Sequence, residues 1–372
     1  MRVARFLNLS QFGAPPHQEM TTQSSSFQTT HETGMSSKLD QLKAMSVLVA
    51  DTGDLDAIRA YRPIDCTTNP SLVLKASQMP SNAALVVGAI EWSEGRSPIP
   101  EDRARNAGIR LGVVVGCEAT AIVLGRVSIE VDPRLSFDTS ATEAHASDLI
   151  DQFKTHGIDH SRILIKIAAT WEGIQATRAL QSKGVDCNLT LIFSEAQARA
   201  AADTNAFLIS SFVGRITDWL RARHKIGDDL NDDPGVNFVR EIYRSFKKEG
   251  RRTIVMAASF RSVAQIEGVA GCDRLTVAPN LLKQFTELEG ELPSALAPPP
   301  GEPVVPSSPL SESAFRYALN QDDTANEKLS EGIRGFVADT EALERLLAAT
   351  IESRAFQVEG ESGRETLFRV PV

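Results

Sequence analysis

The sequence has few cysteines, few aromatic residues and no long apolar run. Four cysteines occur in its 372 residues, and their scatter fits neither a zinc site nor a disulfide scaffold: Cys66, Cys117, Cys187 and Cys272. This scatter indicates a reducing compartment, so we expect a cytoplasmic protein. No stretch approaches the ~18 uncharged apolar residues that a membrane span requires, and we expect no membrane partner.

Positive charge is also in the minority. Lys and Arg number 39 against 48 Asp and Glu, a net charge of −9, which leaves no basic surface for nucleic acid. Glycine-rich nucleotide loops and the Gly-x-Ser-x-Gly motif of hydrolases are absent. His156 and His160 lie in what reads as a loop and have no Cys or third His near them in sequence, so they do not indicate a zinc site. We therefore expect no nucleic-acid partner, no metal and no cofactor.

The two ends of the chain differ in composition from its middle. Residues 1–36 are rich in Ser, Thr and Gln, so we expect a disordered N-terminal extension there. Arg2 and Arg5, with no acid among the first eighteen residues, are a weak sign of a mitochondrial transit peptide, although the cytoplasm remains our expectation. We assign the folded domain to residues 37–353 and a polar tail to residues 354–372.

From residue 37 onward, short β-rich runs alternate with amphipathic or alanine-rich stretches, as in βα units with a parallel sheet. Eight such runs occur: Val47–Asp51, Cys66–Asn69, Val127–Asp132, Ile163–Ala169, Cys187–Phe193, Ala206–Val213, Thr253–Ser259 and Leu275–Ala278. Their number predicts an α/β fold, a (β/α)8 TIM barrel of about 250 residues with additional helices. A doubly wound sheet, which needs only about five or six strands, is the second choice.

Local signals support helices between these runs. Ser194 and Gln197 form a capping-box pattern just after the fifth run, and such a box begins a helix. Gly184 and Gly271 stand where helix C-caps are expected.

Three segments depart from the simple repeat. The gap from Ser71 to Leu124 has room for more than one extra helix. Seven of the eighteen prolines fall between Pro293 and Pro309, which predicts an extended surface loop. Apolar residues at helical spacing from Leu343 to Ile351 predict a helix that docks on the barrel or on a partner subunit, and we favour the barrel.

One lysine lies inside an otherwise apolar strand. Lys166 follows Ile163-Leu-Ile and precedes Ile-Ala-Ala-Thr170. Desolvation lowers the pKa of a lysine, and the neutral amine attacks carbonyl carbons to form a Schiff base. On this residue alone, the favoured alternative is a lysine that snorkels from a strand end to solvent.

Two carboxylates also fall on strands, because Asp51 closes the first run and Glu130 interrupts the third. At the C-terminal ends of their strands, these acids and Lys166 would share the mouth where barrel enzymes hold their active sites. Such a trio suits imine chemistry, since one acid moves the protons of carbinolamine dehydration and the other deprotonates a hydroxyl during bond cleavage. For either acid, a solvated strand end is the alternative.

Further polar residues end other strands. Asn and Thr side chains there are candidates for hydrogen bonds to substrate hydroxyls, with turn capping as the alternative: Thr67-Thr68-Asn69, Asn188-Leu189-Thr190 and Ser210-Ser211-Phe212. Arg215 follows the sixth run and Ser259-Phe260-Arg261 the seventh, where barrels often hold a phosphate. Surface salt bridges are the alternative for these arginines.

At these residues the sequence resembles the transaldolases of the pentose phosphate pathway, of the longer bacterial and eukaryotic type. Ten segments carry the resemblance in order between about residues 37 and 350: Ser37-Lys-Leu-Asp-Gln-Leu-Lys, Val49-Ala-Asp-Thr-Gly-Asp, Thr67-Thr-Asn-Pro-Ser-Leu, Ile163-Leu-Ile-Lys-Ile-Ala-Ala-Thr-Trp-Glu-Gly, Cys187-Asn-Leu-Thr-Leu-Ile-Phe-Ser, Phe212-Val-Gly-Arg-Ile, Asp233-Pro-Gly-Val, Ala258-Ser-Phe-Arg, Gly271-Cys-Asp-Arg-Leu-Thr-Val-Ala-Pro and Lys328-Leu-Ser-Glu-Gly-Ile-Arg.

The resemblance implies a (β/α)8 barrel, usually a homodimer, that moves a dihydroxyacetone unit between sugar phosphates without metal or organic cofactor. Lys166 matches the Schiff-base lysine, which would attack the C2 ketone of fructose 6-phosphate or sedoheptulose 7-phosphate. Glu130, through a water, would assist loss of hydroxide from the carbinolamine. Asp51 would remove the C4 hydroxyl proton so that the bond between C3 and C4 breaks.

The resemblance also implies binding roles. Asn69 and Asn188 match amides that hold substrate hydroxyls or the intermediate, and Thr190 matches the contact of the catalytic water. Ser210 and Phe212 would line the same pocket. The phosphate-binding set would be Arg215, Ser259 and Arg261.

Several positions depart from the family pattern. Glu195 stands where relatives carry an apolar or aromatic residue, and a new acid near the mouth would change the pKa of the lysine. Ser211 replaces a Pro, Ile129 a Thr, Leu124 a Pro and Leu319 a His. None removes a catalytic group, but together they are compatible with reduced activity or an altered acceptor preference. Three hypotheses follow: a working transaldolase, which leads, a fructose 6-phosphate aldolase, and a non-catalytic paralogue that binds sugar phosphates, which these departures motivate.

Overall fold

The computed structural model describes residues 37–226 and 232–366, with side chains as far as Arg354. The expected extension, residues 1–36, lies outside the described residues, as do residues 367–372 at the end of the expected tail.

Eight parallel strands close into a barrel in chain order, β1-β2-β3-β4-β5-β6-β7-β8, with β8 paired to β1. They are β1 Val47–Asp51, β2 Asp65–Thr67, β3 Val127–Glu130, β4 Ile163–Ala168, β5 Cys187–Ile192, β6 Leu208–Phe212, β7 Ile254–Ala258 and β8 Arg274–Val277. Each falls on a predicted run, with ends within two residues of those expected. The predicted barrel is confirmed, and the doubly wound alternative is wrong.

Helices separate and surround the strands. They are α1 Lys38–Met45, α2 Leu55–Tyr61, α3 Pro70–Ser77, α4 Ala83–Glu94, α5 Pro100–Ile122, α6 Thr139–Thr155, α7 Trp171–Ser182, α8 Glu195–Ala202, α9 Val213–Ala222, α10 Pro234–Lys248, α11 Val263–Glu267, α12 Pro279–Glu287, α13 Glu312–Gln321 and α14 Asp323–Thr366. Between β2 and β3 the structure places α3, α4 and α5, so the predicted insertion of extra helices is confirmed.

The local signals act largely as predicted. The capping box of Ser194 and Gln197 begins α8. Gly184 follows the C-cap of α7 with φ +79°, a left-handed conformation that glycine adopts without a Cβ penalty. Gly271 differs from its expected place, because it lies beyond the end of α11 and turns the chain into β8 with φ +93°. A Cβ on Gly271 would stand 2.3 Å from the Leu296 carbonyl oxygen.

The lower half of the barrel interior is apolar. Val49, Leu164, Leu208 and Met256 form a separate cluster, each at most 2% exposed. We call these four residues the floor. Because side chains alternate along a strand, the residues two positions further along the same strands also face inward, toward the C-terminal end of the barrel. We call that end the mouth.

The C-terminal helix closes one flank of the molecule. Leu343, Leu347 and Ile351 of α14 are buried with residues of α3, α4 and α5. The predicted docking of this helix within the chain is confirmed, although these side chains meet the inserted helices rather than the strands. Leu346, on the same helix, stays 38% exposed.

The proline-rich segment between α12 and α13 contains no helix or strand, as expected for an extended loop. The Val304 N–H donates to the Lys248 carbonyl at 2.8 Å, and Arg199 donates to the Ser307 hydroxyl at 2.7 Å. These bonds hold the segment against the barrel. Within the described part of the chain, no helix is both long and apolar enough to cross a membrane.

Candidate active site

Lys166 is buried at the mouth of the barrel. It lies two residues beyond Leu164 on β4, and its side chain is only 5% exposed. Its Nζ donates a hydrogen bond to the Thr68 carbonyl oxygen at 3.2 Å and lies 3.0 Å from Oε2 of Glu130. The lysine therefore does not snorkel to solvent, and its amine faces a carboxylate inside the barrel.

Strand register brings these groups together. Glu130 on β3 pairs with Lys166 on β4, which pairs with Asn188 on β5. Burial raises the pKa of the Glu130 carboxyl, against the opposing effect of the Lys166 charge. Burial also raises the pKa of Asp51, although the charges of Lys166 and Arg215 oppose it. Both carboxyl groups thus keep a proton to higher pH than in water, which suits proton transfer.

A pocket of about 390 Å³ opens at the mouth, and we call it the catalytic pocket. Eight of the eleven residues expected in the site line it: Asp51, Asn69, Lys166, Thr190, Ser210, Phe212, Arg215 and Ser259. The other three touch this set, since Glu130 contacts Lys166, Asn188 accepts from Ser210 and Arg261 donates to Ser259. The structure therefore brings all eleven into one constellation.

A chain of hydrogen bonds fixes the polar layer below the pocket. The Ser210 hydroxyl donates to Oδ1 of Asn188 at 2.7 Å, and the Asn188 amide donates to the Ser128 hydroxyl at 3.2 Å. Asn69 caps α3, because its Oδ1 accepts from the Leu72 N–H at 2.9 Å. Because this bond occupies Oδ1 of Asn69, its amide nitrogen is the atom that remains for other hydrogen bonds. Among the described residues, the buried Thr190 hydroxyl has no hydrogen-bond partner, which leaves it available to a water or substrate.

A close approach of two backbones builds the cationic corner of the pocket. The Gly214 N–H, in the first turn of α9, donates to the Ser259 carbonyl at 3.1 Å. A Cβ at Gly214 would stand 2.4 Å from that carbonyl oxygen and 2.7 Å from Cγ of Arg261. Only glycine allows this contact, which sets Arg215 beside Ser259. Arg261 lies further out, paired with Asp218 at 2.8 Å and 45% exposed.

Arg215 is a half-buried cation without a carboxylate partner at ion-pair distance among the described residues. Its guanidinium stacks on Phe212 at 4.9 Å and on Phe336 at 5.7 Å from the ring centroids. Burial, together with the charge of Arg261, lowers its pKa. A partly desolvated arginine without a carboxylate partner favours an anion beside it, and its planar donors match phosphate oxygens.

Sequence reasoning missed Phe336. This side chain of α14 lines the catalytic pocket, and its ring centroid lies 5.7 Å from Lys166 Nζ. In the sequence Phe336 is an apolar residue that precedes the stretch predicted to dock, Leu343 to Ile351, and no pattern singles it out. Its place over a lysine 170 positions earlier in the chain depends on tertiary packing.

The departures from the family pattern lie away from the catalytic pocket. Glu195 is exposed at the start of α8, in a separate depression that Phe193 and Glu241 also line. Ser211 and Ile129 are buried but occupy the strand positions next to the inward-facing ones, and Leu124 is 84% exposed. None of these residues lines the pocket, so the expected influence of Glu195 on the lysine finds no contact to carry it.

The described residues hold no group of three or more His, Cys, Asp or Glu side chains arranged for a metal ion. The site has instead an amine, two carboxyl groups and a cationic corner. A family model described as transaldolase/fructose-6-phosphate aldolase matches residues 48–347. The chain belongs to the transaldolase/fructose-6-phosphate aldolase family.

Curated members of this family align along nearly their whole length. The chain is 50% identical over 317 residues to a transaldolase of Aeromonas salmonicida, which covers 85% of this chain and 100% of that protein. It is 48% identical over 318 residues to a transaldolase of Pseudoalteromonas atlantica, and the alignment covers 85% of this chain and 100% of that protein. It is 47% identical over 321 residues to a transaldolase of Rhizobium leguminosarum bv. trifolii, and that alignment covers 86% of this chain and 100% of the relative. Relatives of this name are transferases, and the family expected from the sequence is confirmed.

Proposed function

We propose that the protein is a transaldolase that moves a dihydroxyacetone unit between sugar phosphates through a Schiff base on Lys166. In the direction of the pentose phosphate pathway, it would convert sedoheptulose 7-phosphate and glyceraldehyde 3-phosphate into erythrose 4-phosphate and fructose 6-phosphate. The observation that carries this proposal is the buried Lys166, 3.0 Å from Glu130 and in one pocket with Asp51.

The first steps form the imine. Transfer of a proton from Lys166 to Glu130 leaves a neutral amine, and the raised pKa of Glu130 supports this transfer. The amine attacks the C2 ketone of the substrate and gives a carbinolamine. Glu130 then protonates the departing C2 hydroxyl, which leaves as water, and the nitrogen lone pair forms the C=N bond of an iminium ion. Thr190 holds the water that relays these protons.

The next step breaks the carbon skeleton. Asp51, whose charged form Lys166 and Arg215 favour, takes the proton of the C4 hydroxyl. The bond between C3 and C4 breaks, its electrons pass into the iminium ion, and an enamine remains on Lys166 while the aldose phosphate leaves. Asn69, Asn188 and Ser210 hold the hydroxyl groups of the bound unit. An acceptor aldose phosphate reverses the sequence.

The cationic corner binds the substrate phosphate. Arg215 supplies a half-buried guanidinium without a carboxylate partner, Ser259 a hydroxyl at the same edge, and Arg261 a second guanidinium at the rim. Phe212 and Phe336 flank Arg215 and keep its donors directed into the pocket. The phosphate therefore anchors one end of the sugar while Lys166 reacts at the other.

Borohydride trapping tests the proposal. The protein is reduced in the presence of fructose 6-phosphate and analysed by intact mass and peptide mapping. We expect a dihydroxyacetone-sized adduct on Lys166, none in Lys166→Met, and the wild-type adduct in Lys183→Met, which changes an exposed lysine. An unmodified Lys166 would overturn the imine mechanism and favour a paralogue that only binds sugar phosphates.

A second experiment distinguishes the transaldolase activity from the fructose 6-phosphate aldolase activity, which the family name combines. A transaldolase needs an acceptor to release its dihydroxyacetone unit, so fructose 6-phosphate alone gives little free dihydroxyacetone. Steady release without acceptor would assign the aldolase activity instead. A coupled assay with fructose 6-phosphate and erythrose 4-phosphate measures the transfer.

We propose further that the protein is a cytoplasmic homodimer whose catalytic domain is residues 37–353. The family model matches residues 48–347, and the relatives' full length aligns with about 85% of this chain, which supports a catalytic domain shorter than the whole chain. Deletion of residues 1–36 should leave kcat/KM within about twofold, because every residue of the described site comes later in the chain and terminal segments tolerate change. Sedimentation equilibrium measures the oligomeric state.

A further inference from the structure

One side chain of the catalytic pocket does not come from the barrel. Among the described residues that line the pocket, all but Phe336 lie on a strand or within three residues of its C-terminal end. The barrel supplies the amine of Lys166, the Asp51 carboxyl, the hydroxyls and the guanidinium of Arg215. Phe336 comes from α14 and brings a ring that neither gives nor takes a proton. A helix outside the barrel therefore contributes one apolar surface to the reacting centre.

The ring of Phe336 lies beside both cations of the pocket. Its centroid is 5.7 Å from Lys166 Nζ and 5.7 Å from the Arg215 guanidinium, and Phe336 is only 4% exposed. Glu130 also contacts Lys166 Nζ, at 3.0 Å, but it does not line the catalytic pocket. Phe336 therefore covers Lys166 on the side where the substrate binds, and Glu130 contacts it from elsewhere.

A close contact between α14 and the barrel sets the position of this ring. Gly332 lies four residues before Phe336, on the same face of α14. A Cβ at Gly332 would stand 2.7 Å from Cδ2 of Leu191 and 3.2 Å from Nη1 of Arg215. A Cβ at Gly335 would meet nothing within 4 Å. The absence of a side chain at Gly332, and not at Gly335, lets α14 approach the pocket this closely.

Leu191 forms the barrel side of this contact in an unusual backbone conformation. Its φ is +59°, in the left-handed region that is costly for leucine. The register of β5 against β6 shifts between Leu189 and Ile192, and Leu191 is fully buried. Such strain persists only where the surrounding structure enforces it. The irregular strand and the glycine of α14 together fix the distance between Phe336 and Lys166.

The enamine of the proposed reaction has two fates, and both begin at its C3, two bonds from Nζ. In transfer, C3 bonds to the aldehyde carbon of the acceptor, the aldehyde oxygen takes the proton of Asp51, and the nitrogen becomes an iminium ion. In release, C3 takes a proton from water, the nitrogen becomes an iminium ion, and the hydroxide left behind adds to C2. That carbinolamine then breaks its C–N bond and yields free dihydroxyacetone and the Lys166 amine. The access of water to C3 thus decides between the two fates.

We propose that Phe336 determines the partition between transfer and release, because its ring occupies space beside C3 of the enamine that water would otherwise fill. Gly332 and Leu191 are positioning residues, since they act through Phe336. This inference rests on the proposed Schiff-base function and deepens it, because it names a residue that separates the transaldolase activity from the aldolase activity. Exclusion of water protects a reactive intermediate in this way.

Burst kinetics with fructose 6-phosphate and no acceptor test the inference. A coupled dehydrogenase follows glyceraldehyde 3-phosphate and removes it as it forms. In the wild type we expect a burst of about one equivalent per active site as the enamine accumulates, followed by a slow steady phase whose rate is that of dihydroxyacetone release. Phe336→Ala should raise the ratio of steady rate to burst rate about tenfold, because water then reaches the enamine.

Phe315→Ala is the matched control. Phe315 is 1% exposed, lies on the neighbouring helix α13, and packs on Trp171 with 5.5 Å between ring centroids, outside the catalytic pocket. Its removal also deletes a buried ring and should lower the stability of the protein, but it should leave the ratio at the wild-type value. An equal rise in both variants would attribute release to a loosened fold and overturn the role of Phe336.

Phe336→Leu separates exclusion of water from a cation–π effect. Leucine keeps an apolar side chain beside C3 but offers no aromatic face to a cation. We expect Phe336→Leu to restore most of the suppression of release that Phe336→Ala loses. Release as fast as in Phe336→Ala would show that the ring acts on the charge of Lys166 and not on water. A higher KM with an unchanged ratio in Phe336→Ala would reduce its role to the support of Arg215. Either result overturns the inference.

Two glycine variants test the position of the ring while Phe336 itself is kept. Gly332→Ala forces α14 away from Leu191, whereas Gly335→Ala adds the same methyl group in open space. Both changes favour the helix, so helix propensity does not explain a difference between them. We expect a higher ratio only in Gly332→Ala, and this pair decides if Phe336→Ala does not fold.

The outcomes also separate this inference from the proposed function. If all variants partition like the wild type while the borohydride adduct forms on Lys166, the role of Phe336 is refuted and the Schiff base stands. A wild-type steady phase as fast as the burst would refute it as well, because the ring would then not suppress release. Absence of the adduct in the wild type overturns both proposals.

Discussion

The floor and the mouth of the barrel interior use the same strands for opposite purposes. Leu164 in the floor and Lys166 in the mouth are separated by one residue of β4, and Val49 and Asp51 stand in the same relation on β1. Floor side chains are removed from water at a gain of about 25 cal/mol per Å². Mouth side chains are buried with charges whose desolvation costs free energy. A shift of two residues along a strand thus separates stability from chemistry.

The largest expected effect is on activity, at the mouth. Lys166→Met should lower kcat/KM by on the order of 10⁴-fold or more, because it removes the nucleophile that forms the imine. The coupled transaldolase assay measures this loss. Lys183→Met, on the surface, serves as the matched control and should keep the wild-type rate.

The buried ion pair in the mouth also allows a prediction about the stability of the protein. The double variant Lys166→Met/Glu130→Gln removes both charges of the buried pair, so its free energy of unfolding should equal or exceed that of the wild type. Urea unfolding followed by circular dichroism gives the value. A large loss of stability would mean that the mouth, like the floor, holds the barrel together.

Leu164→Ala, in the floor, should lower the stability of the protein, in contrast to the double variant in the mouth. Removing a leucine that is 2% exposed from the floor should cost about 2–5 kcal/mol of unfolding free energy, from lost burial and the cavity left behind. The kcat of the folded protein at low temperature should change little, since Lys166 keeps its contacts with Glu130 and Thr68. A variant that is as stable as the wild type but inactive would contradict the division of roles.

Much of the floor and the strands could be predicted from the sequence because local patterns specify them. Parallel strands buried on both faces are continuous apolar runs, and all eight runs appeared within two residues of their observed ends. A charged residue inside such a run, such as Lys166, can be recognised in the sequence because its neighbours are apolar. The mouth could be predicted only as a set of strand ends, with the family resemblance supplying the roles.

The remainder depends on tertiary contacts that no local pattern records. Phe336 reaches Lys166 from α14, and the cationic corner exists because Gly214 allows α9 to meet the Ser259 carbonyl.

Within the mouth, burial should rank the two arginines. Arg215→Ala should raise the KM for fructose 6-phosphate about 10²-fold, because Arg215 is half-buried in the pocket wall and a charge pair that the bound substrate shields from water is worth about 2–5 kcal/mol. Arg261→Ala should raise the same KM about tenfold or less, because Arg261 is 45% exposed and already paired with Asp218. Steady-state kinetics with fructose 6-phosphate and with unphosphorylated fructose separate phosphate binding from other effects. Equal losses with both sugars would show that Arg215 does not bind the phosphate.

The pH dependence of stability gives a smaller test. Burial raises the pKa of Asp51 in the folded protein, so the folded state binds more protons than the unfolded state between the two pKa values. Stability therefore falls as pH rises above the ordinary carboxyl range and through the raised pKa. Asp51→Asn removes this cost and should be about 0.5–2 kcal/mol more stable than the wild type at pH 8. The difference should shrink as the pH falls below about 3, where Asp51 is protonated in both states; a constant difference would exclude its titration as the cause.

The smallest expected effect concerns Glu195, which departs from the family pattern. It is exposed on α8 and lies in a depression separate from the catalytic pocket, so solvent screens its charge from Lys166. Glu195→Gln should therefore leave kcat/KM within about twofold at 0.15 M salt, while Glu130→Gln, one buried contact from the same lysine, should abolish most activity. A shift of the pH–rate profile in Glu195→Gln would show that a charge outside the catalytic pocket affects the titration of the groups inside it. Residues that do not line the pocket would then have to be counted among those that determine its reactivity.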